Sequence, residues 1–285
     1  MKTAAAAKAS GIRARKVNLD FDSEIPRHWL ARSPLSTHLA NSLNLLFPLG
    51  EKFFIRSVRA FQDRIDDPKL LEDIRGFVAQ EGRHATEHQR FFDVLRSQGY
   101  SIDPFLSVYE ATAYRFLERI FSPEVRLATT VACEHFTAMF AEGALTQGFL
   151  QREAHPVVRD LLLWHAAEEI EHKSVAFDVL RAVAPSYGLR MAGLLIATAT
   201  LTGFWMAGAL WLLAQEKDAP KSAVLRHIAA GVKNGRLGRG DMAKAFFAYM
   251  RPGFHPTDND NEHLATSHLA SVGYPADPPA AAAAE

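Results

Sequence analysis

The sequence predicts an all-α protein: a four-helix bundle with a crossover helix between its halves and additional helices toward the C-terminal end. Three observations lead there. Apolar residues recur at helical spacing through nearly the whole chain, no stretch shows the strict alternation of a half-buried strand, and the interruptions are short Pro, Gly and Asp breakers.

Residues 1–18 carry Lys2, Lys8, Arg13, Arg15 and Lys16 without an acidic residue. They lack the apolar core of a signal peptide, so a disordered cytoplasmic leader is expected. Periodic runs then occupy about 49–66, 69–97, 104–120, 124–151, 157–182, 187–215, 220–233 and 240–250. Asp66-Asp67-Pro68, Gly99, Ser122-Pro123, His155-Pro156, Pro185, Pro220 and the glycines from Gly235 to Gly240 separate them. The expected organisation is one helical domain over 19–256, with the core bundle at about 48–182. A polar, Ala- and Pro-rich tail follows over 257–285, disordered from Tyr274 onward.

Lys+Arg and Asp+Glu each number 32 in 285 residues, so nothing marks a basic face for nucleic acid. Cys133 is the only cysteine, which excludes an intrachain disulfide and a thiolate zinc site. The run from Met191 to Gln215 holds 25 residues without a charge. That is long enough to cross a bilayer, which needs about 20 apolar residues, although Gly193, Thr198, Thr200 and Thr202 dilute it. In a membrane reading, Trp205 and Trp211 anchor the interface and Lys217, Lys221, Arg226 and Lys233 face the anionic inner leaflet. The competing expectation is burial in the bundle or in a homodimer seam, where Gly203 and Gly208 allow close approach.

The stretch Gln80 to Phe92, QEGRHATEHQRFF, crowds Glu81, His84, Glu87 and His88 together. Glu81, His84 and His88 fall at i, i+3 and i+7 and share a helix face, while Glu87 points to its edge and is expected to be exposed or to support a ligand. His165, Glu169 and His172 repeat the pattern at i, i+4 and i+7. Two Glu-x-x-His helices suit a di-metal bundle, which takes a single glutamate from each of two further helices. Glu51 and Glu134 fill that role by level. The midpoint of 51 and 81 falls in the Asp66-Asp67-Pro68 breaker, and that of 134 and 169 falls just before His155-Pro156. Arms of that length place both pairs about 22–27 Å above their turns. The expected ligands are therefore Glu51, Glu81, His84, Glu134, Glu169 and His172. Four carboxylates balance two divalent cations, and oxygen and imidazole donors without sulfur favour iron, with manganese or zinc as alternatives.

Other roles compete at single positions. Glu51, soon after Pro48, also suits a helix N-terminus. His88 and His165 are expected as extra ligands or as partners that orient ligands. His135 points about 100° away from Glu134 and is expected to pack elsewhere, and Glu168 is expected to be exposed unless it replaces Glu169. Trp164, Phe91 and Phe92 read as core. His84-Ala-Thr-Glu87-His88 also matches H-x-x-E-H, the inverted zincin pattern, with Glu87 as base; that alternative leaves Glu51, Glu134, Glu169 and His172 without a role.

With Pro26-Arg27-His28-Trp29, Phe47 to Phe54, Arg56 to Arg59, Gln80 to His84, Glu134 to Ala138, Glu169 to Lys173 and Arg251 to Pro256, the chain resembles the bacterial family described as predicted metal-dependent hydrolases over residues 17–256. The resemblance implies a metal-dependent enzyme and the same six ligands. The arrangement is also similar to ferritin-like di-iron carboxylate proteins, which implies activation of dioxygen. The leading expectation is a di-iron oxidoreductase that uses O₂ and an electron donor on a small apolar or lipid-like substrate. A di-metal hydrolase of an ester or amide is the alternative enzyme, and iron storage or sensing the non-enzymatic one. Arg56, Arg59 and Arg83 are expected in surface ion pairs, or else to orient an acidic head group.

Overall fold

The computed structural model describes residues 12–216 and 239–274. Every regular element among them is helical, apart from one isolated bridge between Leu30 and Ala154. The first hairpin pairs α1, Pro34–Arg59, with α2, Pro68–Ser97. Ser33 caps α1 by accepting the Ser36 N–H, and Asp67 caps α2 by accepting that of Lys69, each ahead of a proline that costs no hydrogen bond in a first turn. The second hairpin pairs α5, Pro123–Thr146, with α7, Pro156–His172, through the short α6, Phe149–Glu153. α3, Asp103–Tyr109, a π-helical segment, Glu110–Leu117, and α4, Glu118–Ile120, form the crossover. Both hairpin turns lie where the level argument put them.

α1 starts well before the expected 49. Pro48 sits inside it, so Glu51 is a mid-helix residue and its reading as an N-terminal charge fails. An internal proline removes one backbone hydrogen bond, and packing of α1 against α2 and against the later helix Tyr187–Leu213 carries it through. α8, Val175–Val183, continues from α7, and α10, Arg239–Tyr249, and α11, Glu262–Ser271, complete the described elements. α11 lies within the expected polar tail and packs on α7.

The expectation of a disordered leader over 1–18 fails for residues 12–18. Ile12 lies so close over Gly76 that a Cβ there would meet the Ile12 carbonyl oxygen at 2.2 Å, and Val17 and Leu19 are buried. Lys2, Lys8, Lys217, Lys221, Arg226, Lys233, the run 220–233 and the tail beyond Tyr274 lie outside the described residues.

α9, Tyr187–Leu213, contains most of the uncharged run and crosses α1 and α5. By length and composition it is the one described helix able to span a membrane. One edge is buried through Leu194, Ala197, Ala209 and Leu212, while Leu195, Met206 and Leu210 are exposed. At Gly193 a Cβ would come 2.3 Å from the Ala128 carbonyl oxygen, so glycine is what lets α9 approach α5. Gly208 likewise meets Ser42 and Phe105 of this chain, whereas Gly203 faces open space. The Trp205 and Trp211 indoles donate to the Leu39 and Ser101 carbonyls.

Candidate metal centre

At mid-bundle, α1 contributes Glu51, α2 contributes Glu81 and His84, α5 contributes Glu134, and α7 contributes Glu169 and His172. All six are buried. Their donor atoms converge. His172 Nε2 lies 3.1 Å from Glu81, 3.3 Å from Glu134 and 3.6 Å from Glu169, and His84 Nδ1 lies 3.9 Å from Glu81 and 3.8 Å from Glu169. Both oxygens of Glu51, Glu81 and Glu134, one of Glu169, His84 Nδ1 and His172 Nε2 make no hydrogen bond although buried. Buried polar atoms are nearly always satisfied, so a cluster of orphaned acceptors and imidazole nitrogens in one place fits a cation.

The outer nitrogens of the two histidines are held. His84 Nε2–H donates to Glu168 at 3.0 Å, which leaves the Nδ1 lone pair facing the cluster. Glu168 accepts in turn from the backbone N–H and guanidinium of Arg15, both at 3.1 Å. His172 Nδ1–H donates to Gln80 Oε1 at 2.9 Å, and the Gln80 amide nitrogen donates to Glu171 and to the Arg13 carbonyl, which fixes its orientation. Arg15 also clamps Glu171 at 2.6 and 2.8 Å. One N-terminal arginine thus supports both imidazoles. Such partners set tautomer and ring direction at a metal site.

His165 belongs to the cluster as well. Its Nε2 lies 2.7 Å from Glu169 and 3.8 Å from Glu51, and its Nδ1 contacts His88 Nε2, whose Nδ1 reaches Asn44 Oδ1. His165 Nε2 is the hydrogen-bond partner of Glu169, so the chain Asn44, His88, His165 ends on the carboxylates. Glu51, His88 and His165 form one of four overlapping donor groups there, each within 4.8 Å; the others are His84, His165 and Glu169; Glu51, Glu81 and His84; and Glu81, Glu169 and His172.

Charge is unbalanced in this cluster. Burial, reinforced by the neighbouring carboxylates, pushes Glu51 well above the usual carboxylate range. Burial is also the main cause of the rise of Glu81 to about 8 and of Glu134 to about 7. Burial opposes the charged forms of Glu169 and His172 too, yet their mutual attraction, with the His165 hydrogen bond to Glu169, wins, holding Glu169 low and His172 high. Burial keeps His84 and His88 neutral, as ligands must be. The metal-free cluster therefore retains protons that a cation would displace.

Several expectations change. Glu168 is fully buried rather than exposed and serves His84 instead of substituting for Glu169. Glu87 is buried and paired with Arg90 at 2.6 Å, while His88 is engaged by His165 and Asn44, so the inverted zincin arrangement is not formed. His135 lies away from the cluster, against Tyr249 and Phe254, with its Nε2 on the Ala245 carbonyl. Burial lowers its pKa to about 4. Arg56 pairs with Glu118, and Trp164 packs edge-on against His84. Arg15, Gln80 and Asn44 were not expected at the site. Asn44 shares the Glu51 face one heptad earlier, the one positional signal for it, and Gln80 directly precedes Glu81.

A buried set of carboxylates and imidazoles at the centre of a helical bundle defines a metal-binding helical protein. The chain belongs to the family described as predicted metal-dependent hydrolases, whose model matches residues 13–260. Comparison with curated proteins and with solved structures returned no match, so nothing there supports the ferritin-like resemblance. Family membership overturns the expected oxidoreductase: hydrolysis is favoured over oxidation.

Proposed function

We propose that the protein is a metal-dependent hydrolase that cleaves an ester or amide, with Glu51, Glu81, His84, Glu134, Glu169 and His172 holding two divalent cations and His165 as a further donor. The convergence of unpartnered buried donors from four helices carries the metal site, and membership of the family carries hydrolysis. Bound there, a divalent cation lowers the pKa of a coordinated water into the neutral range and polarises a carbonyl. The chain does the rest. Glu168 and Gln80 keep the His84 and His172 lone pairs aimed inward. The proton that burial keeps on Glu134, at about 7 in the metal-free protein, would be displaced on cation binding and would leave its carboxylate to hold the ions. Apolar residues around the cluster, such as Phe77 against His172 and Phe47 against His165, exclude bulk water.

The test uses metal-stripped protein reloaded with zinc, manganese or iron(II), assayed on 4-nitrophenyl esters and anilides with and without oxygen. Two ions per chain are expected. Turnover should be abolished by chelation or by Glu169→Ala and should run equally fast under anaerobic conditions. A requirement for oxygen, or turnover that persists after chelation, overturns the hydrolase reading. Uptake of only one ion overturns the di-metal arrangement.

A further inference from the structure

An apolar cavity of about 90 Å³ lies between α1, the π-helical segment, α5 and α9. It is lined by Phe47, Gly50, Tyr114, Cys133, Phe140 and Phe204, among others. Two of these, Gly50 and Cys133, directly adjoin Glu51 and Glu134 in sequence. Phe47 is a shared wall: besides lining the cavity, its ring packs at 4.8 Å on His88 and 4.7 Å on His165. Phe47 is therefore the wall that the cavity shares with the donor cluster, and none of the six donor residues lines the cavity itself.

Its polarity is graded. Thr129, Thr137 and Thr200 line it, but each hydroxyl donates to a carbonyl of its own helix, so the walls present methyl groups. The polar groups on the α1 side are Glu118, held by Arg56, and the pair Tyr109 and Tyr114, whose hydroxyls share a 2.5 Å hydrogen bond. A Cβ on Gly50 would sit 3.8 Å from Tyr114 Oη, so this pair stands beside the backbone that carries Glu51. One of the two hydroxyl hydrogens is used within the pair, and the other is left for a partner. Tyr114 reaches this place from the π-helical segment, a geometry frequent at functional sites.

We propose that this cavity receives the hydrocarbon part of the substrate, the short acyl chain of an ester or amide, with its carbonyl beside the tyrosine pair and directed at Glu51 and Glu134. This rests on the hydrolase reading. Water adds to the carbonyl carbon, the bond from that carbon to the alcohol oxygen or amine nitrogen breaks, the leaving group takes the proton, and a short carboxylic acid is released. On the scale where a cavity of about 150 Å³ holds benzene, this volume suits a chain of about four carbons.

The experiment measures kcat/KM of the metal-loaded protein on 4-nitrophenyl acetate, propanoate, butanoate and octanoate. Calorimetric binding of 2-hexanone, a ketone that cannot be hydrolysed, is measured in parallel. Thr200→Phe and Ile196→Phe fill the cavity from α9, which carries none of the donors. The wild type should gain about fourfold in kcat/KM per methylene up to butanoate, the effect of burying one CH₂, and lose on octanoate. Both variants should flatten the series and bind the ketone at least tenfold more weakly. A flat series with equal ketone binding in all three proteins overturns the cavity assignment while leaving hydrolysis intact. Ketone binding that the variants lose, without cleavage of any ester or anilide, upholds the cavity and overturns the hydrolase reading.

Discussion

Replacing Glu168 by Ala leaves every inward-facing donor in place and removes only the group behind His84. In the native protein the Glu168 carboxylate accepts the Nε2–H at 3.0 Å in a fully buried setting, and that bond decides which nitrogen presents its lone pair to the cluster. A hydrogen bond to a charged group contributes about 1.5–3 kcal/mol, and a buried donor left without its acceptor costs a similar amount. Converted to affinity, the loss is roughly 10–150-fold, in line with the tenfold to hundredfold cost of removing the partner of a metal-bound histidine. Arg15 keeps Glu171, so the N-terminal segment retains an anchor and the bundle should persist. Zinc affinity, measured by competition with a chromophoric chelator, should fall by that factor in Glu168→Ala. In Glu168→Gln, whose amide oxygen can still accept from Nε2, it should fall by no more than about tenfold. Equal affinity in all three proteins would show that His84 Nδ1 is not a coordinating atom, and the orientation argument would fail.

The metal-free protein should lose stability as pH rises from about 4.5 through about 8. Glu81 and Glu134 titrate at about 8 and about 7 in the fold, against 4.5 for a free glutamate side chain, and His172 is also raised, so the folded state holds protons that the unfolded chain releases. Each pKa unit corresponds to about 1.4 kcal/mol and each kcal/mol to roughly 2–4 °C in Tm, so a fall of several degrees is expected; saturating metal should abolish it, and a Tm that rises with pH in the chelated protein refutes the assignment. Gly193→Ala forces α9 off α5 and should cost at least the 1–3 kcal/mol typical of overpacking, whereas Gly203→Ala, with nothing within 4 Å, should be neutral or slightly stabilising. Urea melts of the two variants that agree with each other would contradict the close crossing.

The convergence of these six side chains was legible because their chemistry and periodicity coincide. Glu81 with His84 and Glu169 with His172 carry both the residue types and the spacing of one helix face, and antiparallel hairpins let Glu51 and Glu134 be assigned by level alone. What supports the donors was not legible. Glu168 is one residue from Glu169 and so about 100° around the helix, a direction that is solvent unless something covers it; here the cover is Arg15, 153 residues away in sequence. Gln80 carries no charge to flag it. Pro48 looks like the start of a helix because proline is favoured there, yet α1 passes through it with tertiary packing in place of the lost hydrogen bond. Family membership, rather than the ligand pattern, separates hydrolysis from oxidation, since the same residue types suit either chemistry.

The clamp from Arg15 to Glu168 and Glu171 also orders events during synthesis. The arginine leaves the ribosome before its acidic partners, which follow more than 150 positions later, a delay of roughly 8–30 s at ordinary elongation rates. Through that interval Glu51, Glu81 and His84 can be exposed before Glu134, Glu169 and His172 emerge. Arg15 can lock His84 only once the last of the four core helices has formed. The support behind His84 is thereby completed only in the finished bundle, although its arginine is made long before its partners.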